Sequence, residues 1–339
     1  LQKFSFGDIY IDYYYNRGYY YNIFVDMSYM FYNCRNLTSV TNENHNFYYI
    51  NNYVGMFYNC ISLTSIVLSN FRTYHYSSVS HDYYNLLYIF YNCENLTYFS
   101  FYRYNNYFYV KDMRAMFYNC KSLKTVYLND FQGMSYNVNM SRLFYNCVNL
   151  EKVTYFDNFY VSDTREMFYN CISLEYLDFR PYYIIENINM SRMFYNCINI
   201  KNISFYTGYS YDYSYNYIRP NDLHAIFYNC INLITVYSYR YSYLFKVQYA
   251  KDTSYMFYNC KQLRSIFELS NSITTTTRGM FQNCESIQTL NLYYFYSSYL
   301  ETTWDMFKGC SSLRNLNLYN FYTSKVTDME SMFEDCSTL

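Results

Sequence analysis

Glycine and proline are scarce, at seven and two residues in 339. Collagen-like and proline-rich linker chains need one or both in quantity, so both classes are excluded. Charge of one sign is also missing: 25 Lys and Arg are balanced by 26 Asp and Glu. A net charge of −1 leaves no electrostatic footprint for nucleic acid or an anionic membrane. No apolar run approaches the roughly 20 residues that span a bilayer, so no direct membrane insertion of this segment is expected. The N-terminus shows no initiator Met, signal peptide or lipid-attachment motif. Leu1 stands inside a repeat and Leu339 just after another begins, so the expectation is a piece of a longer chain. Signatures of chemistry are absent as well. The four histidines (His45, His75, His81, His224) lack metal-ligand spacing, and no C-x-x-C pair exists. There is no nucleophile elbow, no phosphate-cradling glycine loop and no recurring pair of carboxylates. Neither a cofactor, a metal nor an active site is expected.

What is present is aromatic and periodic: Tyr 55, Phe 29 and Cys 12. All twelve cysteines end one motif, nine times as FYNC and then as FQNC, FKGC and FEDC. Their spacings are 26, 33, 27, 27, 24, 26, 33, 30, 24, 26 and 26 residues. A base period near 26 with occasional insertions marks a stacked repeat array. Three residues before each cysteine stands Phe, and four before it Met, Leu or Ile. Eight before it is Asp, Asn or Thr (Asp26, Asn52, Asn85 through to Asp328), side chains that accept hydrogen bonds from the free N–H groups of a helix's first turn. Immediately before it is Asn in ten copies, Gly309 in one and Asp335 in one, types that tolerate the left-handed conformation ending a helix. The motif therefore predicts a capped helix of about two turns, with Met, Phe and Cys facing inward.

After each cysteine the period changes. Leu or Ile follows three residues on, and the fuller copies continue as L-x-x-[LIV]-x-[LF]-x-x-F, as in Leu63, Ile66, Leu68 and Phe71, or Leu313, Leu316, Leu318 and Phe321. Alternating apolar residues predict one short strand per repeat. The expected fold is an α/β solenoid over residues 1–339, of about 12–13 repeats. It is a right-handed coil with a parallel β-sheet on one face and short helices on the other.

The pattern resembles the BspA-like leucine-rich repeats, most closely the repeat of about 26 residues found in bacterial and protist surface proteins. The nearest stretch is Asn320–Met329 followed by Met332-Phe333 and Cys336, with Tyr322 where family members usually carry Asp or a small polar residue. The resemblance spans the chain. It implies a cell-surface or extracellular setting, a role in adhesion or matrix building, and no active site.

Candidate site residues follow. Cys34, Cys60, Cys93, Cys120, Cys147, Cys171, Cys197, Cys230, Cys260, Cys284, Cys310 and Cys336 are expected as a ladder of buried thiols. Equivalent side chains in neighbouring coils point the same way, which disfavours the disulfide torsion. Strand positions not used by the core carry Tyr98, Tyr102, Tyr127, Tyr176, Tyr293 and Tyr319. These are candidate contacts on the concave sheet face, for protein or glycan, or cross-strand ladders that stiffen the sheet. Tyr-rich insertions at Arg72–Tyr84, Tyr206–Asn221 and Tyr237–Lys251 are expected to bulge as contact loops. Asn36, Asn95 and Asn202 are the candidate glycosylation sites, since Asn139 and Asn189 occupy the cap position. The expected role is a structural or adhesive scaffold, in one version a fibre subunit stacking end to end. Its partners would be itself or other surface proteins and glycans. The alternative is a soluble or membrane-tethered recognition module using the concave face.

Overall fold

The computed structural model describes residues 2–5, 15–16, 19–20, 25–41, 47–48, 50–69, 71–72, 84–102, 108–129, 131–156, 159–181, 183–205, 218–238, 247–266, 269 and 273–339. His45, His75, His81 and most of the three Tyr-rich insertions lie outside them.

Parallel strands stack coil on coil in two rows. One row follows each cysteine, as expected: Lys3–Ser5, Ser39–Thr41, Ser65–Ser69 and Tyr98–Tyr102 form one sheet, and shorter groups continue it as far as Asn315–Asn317. Equivalent residues pair directly, with Val40 opposite Ile66 and Ile66 opposite Phe99. The second row precedes each motif and was not foreseen. Eight parallel strands run from Val25–Asp26 to Pro220–Asp222, and single bridges continue the ladder through Asp252, Thr276, Thr302 and Asp328.

The predicted helix is not formed. Among the described residues there is no α-helix; a short 3-10 turn stands at Val247–Tyr249. The backbone accounting shows why. In an α-helix every N–H bonds four residues back within the segment. Here alternate N–H groups leave the coil: Tyr29, Phe31 and Asn33 donate to the carbonyls of Val54, Met56 and Tyr58 in the next coil. The N–H groups between them stay home, Met30 to Met27, Tyr32 to Tyr29 and Cys34 to Phe31, each three residues back. That alternation requires a left-handed residue twice per coil. All twelve residues before the cysteines have φ between 58° and 74°, and those five before it, such as Tyr29, Arg142 and Ala225, have φ between 49° and 60°. The polar residue eight before the cysteine accepts from the N–H two residues on, as Asp26 does from Ser28 and Asp163 from Arg165. It closes a tight turn, where the sequence pointed to a helix cap.

The core is one continuous stripe. Phe31, Phe57, Phe90 and their equivalents to Phe333 stack ring on ring with centroids 5.2–5.8 Å apart. The Leu or Ile three residues after each cysteine is fully buried from Leu37 to Leu313. No helix among the described residues is long and apolar enough to cross a membrane.

Candidate functional site

The twelve thiols are all free; ten are buried, and Cys34 and Cys336 are partly so. From Cys60 onward each Sγ donates to the Phe carbonyl of the preceding coil at 3.0–3.2 Å. Burial pushes these thiols up, Cys60 to about 12, which holds them in the unreactive protonated form. No group of three or more His, Cys, Asp or Glu that could hold a metal occurs among the described residues.

The five of these tyrosines whose side chains are described do not meet as one patch. Tyr98, Tyr127, Tyr176, Tyr293 and Tyr319 are exposed, Tyr319 most at 81%. However, Tyr98 pairs with Ser65, Tyr127 with Thr154 and Tyr176 with Asn202 in the sheet register. Among the described side chains of this set, only Tyr293 and Tyr319 stack on each other, at 5.9 Å. Tyr102 ends the strand Tyr98–Tyr102, and its side chain is outside the described set. Of the candidate glycosylation sites, Asn36 and Asn95 are exposed, whereas Asn202 is half-buried at the start of Asn202–Phe205. Asn139 and Asn189 accept the N–H groups of Ser141 and Ser191 within their turns.

The continuous aromatic feature lies elsewhere, at the second letter of FYNC. Tyr32, Tyr58, Tyr91, Tyr118, Tyr145, Tyr169, Tyr195, Tyr228 and Tyr258 form one column outside the buried Phe column. From Tyr58 to Tyr258 successive rings lie 4.4–4.6 Å apart and within 9° of parallel; Tyr32 joins at 5.3 Å. The ring faces cover one another, so the column presents ring edges and phenol oxygens to solvent. Beside it runs an amide ladder, Asn33 to Asn259, each Nδ2 donating to the Oδ1 of the preceding coil's Asn. The nine FYNC copies carried the signal, but their spacing assigned inward roles to Met, Phe and Cys and none to the Tyr between them.

Shallow grooves flank the column. Their charged walls are paired internally: Arg114 with Asp112, Arg165 with Asp163, and Arg142 and Arg192 both with Glu166. His224, on the wall of one groove, joins Ser254 and Asp252 behind it in a cluster that resembles a nucleophile and its base. The hydrogen-bond direction is wrong for that chemistry. The Arg192 guanidinium can only donate, so His224 Nε2, 3.5 Å away, accepts. Nδ1 then carries the proton toward Ser254 Oγ at 2.8 Å, and Ser254 donates to Asp252. The imidazole has no free lone pair with which to deprotonate the serine, which is itself buried.

Similar solved structures include a leucine-rich repeat protein from Bacteroides ovatus, 15% identical, with 100% of this chain and 85% of that one covered at a TM-score of 0.39. A leucine rich cell surface protein from Faecalibacterium prausnitzii is 17% identical, with coverage of 100% and 86% and a TM-score of 0.43. At such TM-scores neither likeness bears on function. No curated protein matches the chain at a significant level. One sequence family matches residues 21–85, 84–206 and 221–339, and this bears out the resemblance to BspA-like repeats. By that match over nearly all its length, the chain belongs to the family described as Mycoplasma protein of unknown function, DUF285.

Proposed function

We propose that this protein is a non-catalytic repeat scaffold of a cell surface or extracellular material, holding a macromolecular partner along its length. The observation that carries the reading is the tyrosine column. The coil itself accepts other residues at that position: Gln282, Lys308 and Glu334 stand there in the last three coils. In those coils the left-handed Asn283, Gly309 and Asp335, the Phe stack and the thiol bonds are unchanged. Nine tyrosines in succession therefore exceed what folding demands, and a half-buried aromatic strip of that length, with its ring edges and phenol oxygens outward, suits a macromolecular contact. The surface setting rests on the resemblance to BspA-like repeats. Protease shaving and impermeant biotinylation of intact source cells test it. Labelling before lysis is the expected result, and protection until lysis would remove the surface reading.

A stronger form is a fibre built by end-to-end stacking of coils. Negative-stain electron microscopy across a dilution series would then show filaments, and isolated particles at every concentration would end that version. The second reading places the partner on the strand face, where Tyr98, Tyr127, Tyr176, Tyr293 and Tyr319 are exposed. It is weaker because those side chains are spread among polar neighbours.

A further inference from the structure

We infer that the tyrosine column is a pairing surface for the same column of a second copy of this chain, the two running antiparallel. This deepens the scaffold reading and rests on it. Periodicity is the first argument. The rings repeat at 4.4–4.6 Å over seven steps, from Tyr58 to Tyr258. A globular partner would match a few coils, whereas a surface of identical pitch matches them all.

Chemistry is the second argument. A phenol donates and accepts, so a row of phenols complements itself, as a row of guanidiniums or carboxylates cannot. Burial, reinforced by neighbouring phenols, pushes Tyr145 up to about 12, so the strip stays uncharged and does not repel its double. The flanking arginines bring little repulsion, because Asp112, Asp163 and Glu166 sit against them and offset three of their four charges. That pairing also argues against a polyanion, and the covered ring faces argue against stacked sugars or bases.

Orientation follows from the last coils. A parallel pair would set Lys308 against Lys308 and Glu334 against Glu334, like charges that destabilise. An antiparallel pair centred on Tyr145, the fifth of the nine, keeps Lys308 apart from Lys308 and Glu334 apart from Glu334. Tyr118 then meets the second copy's equivalent of Tyr169. A closed twofold contact results, with no open surface to propagate.

Sedimentation velocity of the purified chain across a dilution series tests this, with Tyr118→Lys and Tyr169→Glu as probes. Lys308 and Glu334 already occupy equivalent positions, so both variants should fold, and thermal unfolding checks it. The wild-type chain is expected to dimerise, each variant alone to associate roughly tenfold more weakly or worse, and an equimolar mixture to recover the dimer. A wild-type monomer at every concentration overturns the inference and assigns the strip to a foreign partner. Dimers indifferent to both substitutions overturn it as well. A monomer that is labelled on intact cells defeats this inference alone; a dimer protected there defeats only the surface reading.

Discussion

At the residue scale, the coil depends on a few side chains whose roles can be separated. Asn146 holds φ 58°, donates to Asn119 and accepts from Asn170. Asn146→Gly keeps the left-handed backbone and loses the amide bonds, at a cost of about 1–2 kcal/mol. Asn146→Val adds left-handed strain, about a further 1–2 kcal/mol. Urea unfolding of the two variants checks that order, and equal losses would discount the backbone term. Gly309 makes the same point in reverse: a Cβ there would press on Asn283 Oδ1. The phenols set the alkaline limit. Burial and neighbouring phenols raise Tyr58, Tyr91, Tyr169 and Tyr228 as well as Tyr145 above the ordinary value of 10.0. The native state thus keeps protons that the unfolded chain releases. Their contribution to stability is complete below about pH 10 and declines as pH rises toward about 12. Tyrosinate absorbance and unfolding should rise together there; ionisation of the column without loss of structure would contradict this.

At the scale of the element, the motif was misread for a physical reason. Turns closed three residues back bring Met113, Met116, Phe117 and Cys120 inward at intervals of three or four, which imitates the stripe of an amphipathic helix. A polar residue eight before the cysteine and a left-handed residue before it also serve as helix signals. What distinguishes the run is the second left-handed residue, five before the cysteine. There the sequence varies freely, through Tyr29, Gly55, Arg142, Glu166 and Ala225, so no composition signal marked it. Ala225→Gly gives a test by sign. In a helix interior it would cost about 1 kcal/mol, whereas at φ 53° it should be neutral or stabilise by up to about 1 kcal/mol. A loss in chemical unfolding would favour the helix. The strand after the cysteine was legible because its apolar alternation has no rival period, while the strand before it lies among Tyr-rich connectors without such alternation.

At the scale of the whole molecule, each coil bonds its neighbours through both strand rows and the turn run between them. Stability should therefore depend on nearest-neighbour contacts, and damage to a central coil should reach further than damage near an end. Phe144, between Phe117 and Phe168, and Phe307, between Phe281 and Phe333, allow the comparison. Phe144→Ala is expected to uncouple hydrogen exchange protection on both sides, and Phe307→Ala mainly in the last coils; the same pattern from both would speak against local coupling. The sequence made the array, its period and its buried columns readable, because those depend on one recurring choice per coil. The tyrosine recurs nine times, yet its half-buried place outside the Phe column depends on the turn geometry, which the letters alone did not reveal.

The central claim is that the tyrosine column serves contact while the phenylalanine column beneath it serves folding, and paired urea unfolding of Tyr145→Lys and Phe144→Ala tests it most directly. Tyr145→Lys removes two stacked contacts from a site where Lys308 is already accommodated, and should cost about 1–2 kcal/mol with the fold retained. Phe144→Ala empties a fully buried site and should cost about 3–5 kcal/mol. A loss at Tyr145 equal to or greater than that at Phe144 would make the column structural and contradict the account.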